Sequence, residues 1–225
     1  FPKGKKLIIN EGVKINFKDD FLFLSEGSIE FKGTKEKPII IDGNGYGSMI
    51  LYKNRFNFDH VLVKNLSFPK DKNKILYGGI NIIDSELTIS NSSIEQSNSE
   101  DAINIIASNS KIKNLTVSKI KADAIDIDFG TLNFQNIICK DISNDCLDAS
   151  GAKINGSYLQ GENIKDKGLS FGENSVGKIT NIDFQNAKLG VAVKDGSRLE
   201  LSKYKLVNNR YDIAVFNKKN EYKGA

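Results

Sequence analysis

The phrase Asp123-Ala124-Ile125-Asp126 returns 22 residues later as Asp145-Cys146-Leu147-Asp148, and it belongs to a longer period. Taking the small or polar residue near the head of each such phrase as its anchor, Gly79, Ala102, Ala124, Cys146, Gly168, Gly190 and Asp212 follow one another at separations of 23, 22, 22, 22, 22 and 22. One residue beyond the anchors stand Ile80, Ile103, Ile125, Leu147, Leu169, Val191 and Ile213; three beyond stand Ile82, Ile105, Ile127, Ala149, Phe171, Val193 and Val215. Both columns are apolar throughout. A chain that repeats so short a unit can bury its apolar face only by stacking each copy on the last.

Each period holds further strand-length apolar segments. One set contains Ile89, Ile112, Leu132, Ile154, Ile179 and Leu199, and another contains Ile94, Val117, Cys139, Leu159, Phe184 and Leu206. No stretch sustains the 3.6-residue apolar spacing of a helix. Three short strands per period predict an all-β chain, a right-handed parallel β-helix of about nine or ten coils, the hand following from the general preference of crossover connections. The expected organisation is one domain. Residues 1–78 form less regular opening coils, 79–216 the regular ones, and 217–225 a tail; Pro69 to Lys74 reads as a charged loop leaving the body. Asn91, Asn114, Asn136 and Asn181, each three residues before a member of the last apolar set, are expected to stack as an internal ladder.

Composition narrows the chemistry. The 32 basic and 28 acidic residues are dispersed, so no basic stripe points to nucleic acid. A single histidine, His60, argues against Ser-His-Asp catalysis. The two cysteines are too few for a disulfide framework and lack zinc spacing; Cys139 reads as a core thiol and Cys146 as an anchor, with no paired base to make either a nucleophile. No apolar run reaches the roughly 18 residues needed to span a bilayer, and no signal-peptide pattern is present in the residues given, so the expectation for localisation rests on architecture. The start at Phe1 leads to the expectation of an excised domain or part of a larger protein.

The column between the two apolar ones runs Asn81, Asn104, Asp126, Asp148, Ser170, Ala192 and Ala214, so acid is confined to two of its coils. Stacked coils sit ~4.8 Å apart, which sets Asp123 beside Asp145 and Asp126 beside Asp148, with Asp128 roughly 6.6 Å along the strand from Asp126. Close carboxylates raise one another's pKa unless a cation intervenes; Lys121, Lys165, Lys167 and Lys194 are the nearby candidates. Three readings stay open on the residues alone. The acids and lysines form a solvated ion-pair network; or Asp126, Asp128 and Asp148 hold a hard cation such as Ca²⁺; or paired carboxylates act on a glycosidic bond. No cofactor is required by any motif, and Ca²⁺ is the metal these ligands would select.

The phrases ADAIDID, NDCLDAS, DKGLSFGENS and LGVAVKDGS, in that order, resemble the motif series of the polygalacturonase family within the pectin-lyase-like β-helix superfamily. In this resemblance the family's Asn-Thr-Asp falls on Lys121-Ala122-Asp123, its Asp-Asp on Asn144-Asp145, its Gly-His-Gly on Asp166-Lys167-Gly168 and its Arg-Ile-Lys on Ala192-Val193-Lys194. The second motif keeps one Asp, and Lys167 stands where the family has His, so acid/base and positioning parts are missing. The opening text, EGVKINF and EGSIEFKGTKEKPIII, is similar to the first coils of right-handed β-helix repeat domains in bacterial surface and secreted proteins, and the wording is also similar to modules attached to spore-coat-kinase-like proteins. What these resemblances imply is an extracellular or cell-surface scaffold or binding module whose acidic face contacts a polysaccharide or a surface protein. The alternative is a hydrolase or lyase acting on an acidic glycan. Its catalytic residues would be Asp123, Asp145 and Asp148, with Lys167, Lys194 and Asp126 binding substrate.

Overall fold

The computed structural model describes residues 1–69, 76–222 and 224, so most of the Pro69–Lys74 break lies outside the described residues. Among those described, every regular element is a strand. One strand from each coil enters a nine-stranded parallel sheet, in chain order Leu22–Ser25, Ser48–Tyr52, Gly78–Ile83, Asp101–Ile106, Asp123–Asp128, Leu147–Ser150, Lys167–Gly172, Leu189–Lys194 and Tyr211–Phe216. This sheet is the wall. A 14-stranded sheet forms the remaining faces. The chain is a parallel β-helix of about nine coils, as its period predicts.

The anchor columns set the register. Ile103 pairs with Ile125, then Leu147, Leu169, Val191 and Ile213 in succession, each in the next coil. Sheet residues alternate sides, so the columns of Ile80 and Ile82 face the core and are closed from solvent through Phe171 and Val191. Ile213 and Val215 continue them in the last described coil, where they are 47% and 61% exposed.

The coils bend at single residues with left-handed backbone. Asp84, Ala107, Phe129 and Gly151 follow the wall strands with φ of 48°, 50°, 55° and 62°, and Lys119, Asp141, Asn163, Asn186 and Asn208 turn a second corner at 55–58°. Asn and Asp tolerate this region best, whereas Ala107, Phe129 and Lys119 take it because the stacked coils above and below leave no other path.

Core packing corrects two apolar sets. In the register, Ile89 and Ile112 align with Phe134 and Gly156, while Leu132 and Ile154 align with Leu87. Likewise Cys139 aligns with Gly161 and Phe184, while Leu159 aligns with Ile137. A two-residue slip keeps a side chain on the same face, so sequence period alone does not distinguish the neighbouring columns. Size does. A Cβ on Gly156 would lie 2.0 Å from the Phe134 ring, and one on Gly161 would lie 2.7 Å from Phe184. A large ring in one coil fills the space that a glycine leaves in the adjacent one, which keeps the interior at close-packed density.

The asparagine ladder is also corrected. Asn114 donates to Asn91 Oδ1 at 3.0 Å and Asn136 to Asn114 Oδ1 at 3.4 Å, but these bonds lie at an exposed corner, and Asn181 instead donates to the Ser157 carbonyl. A second ladder, Asn186 to Asn163 to Asp141, runs along another corner.

Cys139 and Cys146 are not thiols. They form a disulfide with a Cα–Cα distance of 5.8 Å, because the corner between strand Ile137–Ile142 and the following wall strand points both side chains into the same stretch of core. The bridge closes a short loop in the coil that carries Asp145 and Asp148. Replacing both cysteines by alanine should cost about 2 kcal/mol, or about 4–8 °C in Tm for a chain this long, with the β circular-dichroism spectrum retained. An unchanged melting curve would show the bridge to be energetically idle.

Candidate functional site

The outer face of the wall gathers the acids. Asn81, Asn104, Asp126, Asp148, Ser170 and Ala192 occupy one column, each paired with the next. This column is not the solvated row of the ion-pair reading: Asn81, Asn104, Ser170 and Ala192 are buried, and Asp126 and Asp148 half-buried. At the strand entry runs a second column, Asp101, Asp123, Asp145 and Lys167. Asp101 is in register with Asp123. The Asp145 amide donates to Asp123 Oδ1 at 2.7 Å, and the Lys167 amide donates to Asp145 Oδ1 at 2.9 Å. These entry carboxylates therefore serve the fold by accepting the amide of the coil that follows.

Cations reach only one end of the patch. Lys167 Nζ lies 3.2 Å from both Asp145 oxygens and 2.5 Å from Asp166 Oδ2, and Lys188 pairs with Asp166 at 2.9 Å. Lys194, 6% exposed, crosses Gly172 to within 3.9 Å of Asp148 Oδ1. Lys219 pairs with Glu173. Lys121 and Lys165 point to solvent and form no ion pair among the described residues. Among the described residues no lysine forms an ion pair with Asp101, Asp123 or Asp126; Asn104 Nδ2 donates to Asp101 Oδ2 at 2.9 Å, and Asp126 has no hydrogen bond or ion pair.

The electrostatics follow from this arrangement. Burial, then the neighbouring carboxylates, push Asp126 up to about 9 and Asp123 up to about 8. Burial pushes Asp101 up to about 7 against the Asn104 hydrogen bond, and Glu100 adds to the rise. Asp128 is raised by burial, Glu173 and Asp148. Asp145 reaches only about 6, since burial and Asp148 raise it but Lys167 opposes them. Burial works against the Lys167 charge, yet Asp145 and Asp166 hold its ammonium above the ordinary lysine range.

The structure thus brings Asp123, Asp126, Asp128, Asp145, Asp148, Lys167 and Lys194 onto one face. Three participants escaped the sequence reading. Asp101 stands 22 residues before Asp123 and was visible in the period; Asp166 was hidden because it acts through Lys167; Phe129 was hidden because its exposure depends on a corner. Its ring is 69% exposed and lies over Gly151, where a Cβ would be 2.8 Å away. Among the described residues no group of three or more His, Cys, Asp or Glu has an arrangement that could hold a metal ion, Asp126, Asp128 and Asp148 included. A groove of about 600 Å³ lined by Thr88, Lys111, Phe134 and Lys178 lies on another face.

No protein-family model and no curated protein matches this chain. Among solved structures it is similar to a tailspike of Acinetobacter phage vb_AbaP_AS12, with 12% identity and a TM-score of 0.41 over 98% of this chain. It is also similar to an alginate lyase from Paenibacillus, with 12% identity and a TM-score of 0.28 over 94% of this chain and 93% of that one. The chain spans 59% of the tailspike's length.

Two outcomes test the electrostatics. The raised carboxyls of Asp101, Asp123, Asp126 and Asp145 ionise more readily unfolded than folded, so they cost stability as pH climbs above the ordinary aspartate value of 3.8, and the cost levels off only past about 9. Asp42, Asp59, Asp166 and Asp195 are lowered by hydrogen bonds despite burial, and their contribution is lost as pH falls below 3.8. Denaturant titrations should therefore show maximal stability in mild acid, and Asp126→Asn should flatten the alkaline decline and add about 1–2 kcal/mol there. Stability rising from mild acid to alkali would refute the burial argument. Separately, Lys167→Ala should cost about 3–5 kcal/mol by stranding the Asp145 charge, and adding Asp145→Asn should recover part of that loss.

Proposed function

We propose that the protein is a glycan-binding β-helix module and that the wall is its binding face. The observation that carries this reading is the ring of Phe129, 69% exposed at the corner that follows the wall strand of Asp126 and Asp128. Asn104 Oδ1, Asp148 Oδ1 and Ser170 Oγ in the wall column are unbonded but closed to solvent, so they shape the wall without meeting a ligand directly. Beside the column, the exposed ring of Phe129 offers a flat apolar plate for the C–H face of a sugar, while the carboxyl rows meet its hydroxyl rim. The Cys139–Cys146 bridge supports placement in an oxidising compartment outside the cytosol.

A second reading, glycoside hydrolysis, is favoured by one feature. Asp123, pushed up to about 8, and Asp145, at about 6, occupy adjacent coils, and carboxyls separated in this way can divide acid and base roles. The Asp145 carboxylate is held by Lys167 and is 1% exposed, which places binding ahead of catalysis.

Calorimetric titration with neutral, acidic and amino oligosaccharides, after a glycan array, tests the binding reading. Phe129→Ala should weaken the best ligand about tenfold, near 1.4 kcal/mol, without altering the fold. Retention of no glycan of any class would remove it. Release of reducing ends by wild type and not by Asp123→Asn would promote the hydrolytic reading instead.

A further inference from the structure

We propose that the groove lined by Thr88, Lys111, Asn133 and Asn155 is a second binding site, away from the wall, and that it takes a mixed polysaccharide in which an acidic sugar is followed by neutral ones. This goes beyond the wall reading and stands on separate observations.

The groove follows the helix axis. Thr88, Lys111, Asn133, Asn155 and Lys178 line it and are register partners in five successive coils. At ~4.8 Å per coil the row runs about 19 Å, a length that several sugars span. Lys113, Gln135 and Ser157 stand beside it on the same face, two residues further along their coils. Thr88, Lys111, Lys113, Asn133, Gln135 and Asn155 are all exposed, so a ligand meets their side chains directly.

Their polar groups are also uncommitted. Asparagines at the corners bond to one another from coil to coil. Asn133 and Asn155 are likewise register partners, yet their side chains and that of Gln135 make no hydrogen bond among the described residues. Lys111 and Lys113 form no ion pair among those residues. No carboxylate lines the groove, and the acids that border it are engaged. Glu86 pairs with Arg55 at 2.8 Å, Glu200 with Lys178 at 2.6 Å, and Asp59 accepts from Ser90 Oγ at 2.7 Å.

The free charge is confined to one end. With Lys178 held by Glu200, the unpaired cations of the lining are Lys111 and Lys113, both on strand Asn109–Ile120 and roughly 6.6 Å apart along it. Two ammonium groups on one coil can hold a carboxylate or a sulfate through charge-assisted bonds. The next two coils offer amides and a hydroxyl, each able to donate to and accept from sugar hydroxyls. An oligosaccharide laid along the row therefore sets its anionic sugar on the lysine coil and neutral sugars over Asn133 and Asn155. Lys153, two residues before Asn155, lies outside the lining. Single-stranded nucleic acid suits the groove less well, because its bases stack on exposed rings and the aromatic side chain of the lining, Phe134, is 6% exposed.

The test is calorimetry at neutral pH and low salt with an oligosaccharide of alternating glucuronate and N-acetylglucosamine, a neutral cello-oligosaccharide, an oligogalacturonate and polyphosphate. The alternating chain should bind at least tenfold more tightly than the neutral one and no less tightly than the oligogalacturonate. Lys111→Ala with Lys113→Ala should erase the preference for the acidic chain, and Asn133→Ala with Asn155→Ala should weaken both chains alike. Because these side chains are exposed, both double variants should keep the wild-type circular-dichroism spectrum. Phe129→Ala, on the wall, should leave the affinity for the alternating chain within about twofold. Equal binding of the neutral chain would overturn the acidic-sugar assignment, and tenfold tighter binding of the oligogalacturonate would overturn the mixed pattern. Polyphosphate binding as tightly as the alternating chain would remove the sugar. Loss in Phe129→Ala without loss in the lysine variant would overturn the groove and leave the wall reading standing. Binding of none of the four would overturn the groove, while the wall reading is decided by its own glycan array.

Discussion

Coil-on-coil hydrogen bonding in parallel register is the constraint on which the rest of the molecule depends. Because each strand finds its partner one period away, every residue is set beside its equivalent in the coils above and below. That repetition is inexpensive for Ile, Leu and Val, whose contacts improve when stacked. It is tolerable for Asn, whose amide both donates and accepts, as the corner ladders show. It is costly for Asp. The fold therefore turns a local choice of residue into a column of like residues, and only where the column is acidic does stacking oppose stability.

This explains what the sequence could and could not reveal. The wall was legible because its anchors recur without insertion from Ala102 to Asp212 and because its inward positions are uniformly apolar. The other faces were less legible, since a shift of two residues preserves sidedness; Leu132 and Leu159 were assigned one pleat away from their true columns, and only the Phe134–Gly156 and Phe184–Gly161 complementarity fixes the alignment. The disulfide was illegible because two cysteines seven residues apart meet only if the chain turns a corner between them. Burial of Asn81, Asn104 and Ser170 on an outward column was illegible as well, since alternation predicts which side a residue faces and not what shields that side.

The acid column has two parts with different consequences. At the strand entry, Asp123 and Asp145 accept backbone amides and Asp145 holds Lys167, so these carboxylates belong to the scaffold even though they lie where the polygalacturonase resemblance sets catalytic groups. In mid-strand, Asp126 does none of this. It has no partner among the described residues and is pushed furthest from the ordinary carboxyl range, by burial first and then by Asp128, Asp101, Asp148 and Asp123. Its carboxyl therefore opposes its surroundings, and no hydrogen bond or ion pair among the described residues offsets that cost.

The placement of the bridge bears on the same point. Cys146 is flanked by Asp145 and lies two residues before Asp148, while Cys139 belongs to the preceding strand of that coil. The cross-link lies within that coil, so it fixes the corner from which Asp145 and Asp148 extend rather than tying the coil to its neighbours. Lys167 restrains the same corner from outside through Asp145, so the coil is held by a covalent tie in the core and an ion pair at its rim. A corner fixed in this way holds Asp148 in place beside Asp126, and Lys194, 3.9 Å from Asp148 Oδ1, supplies the one ion pair of that mid-strand column among the described residues.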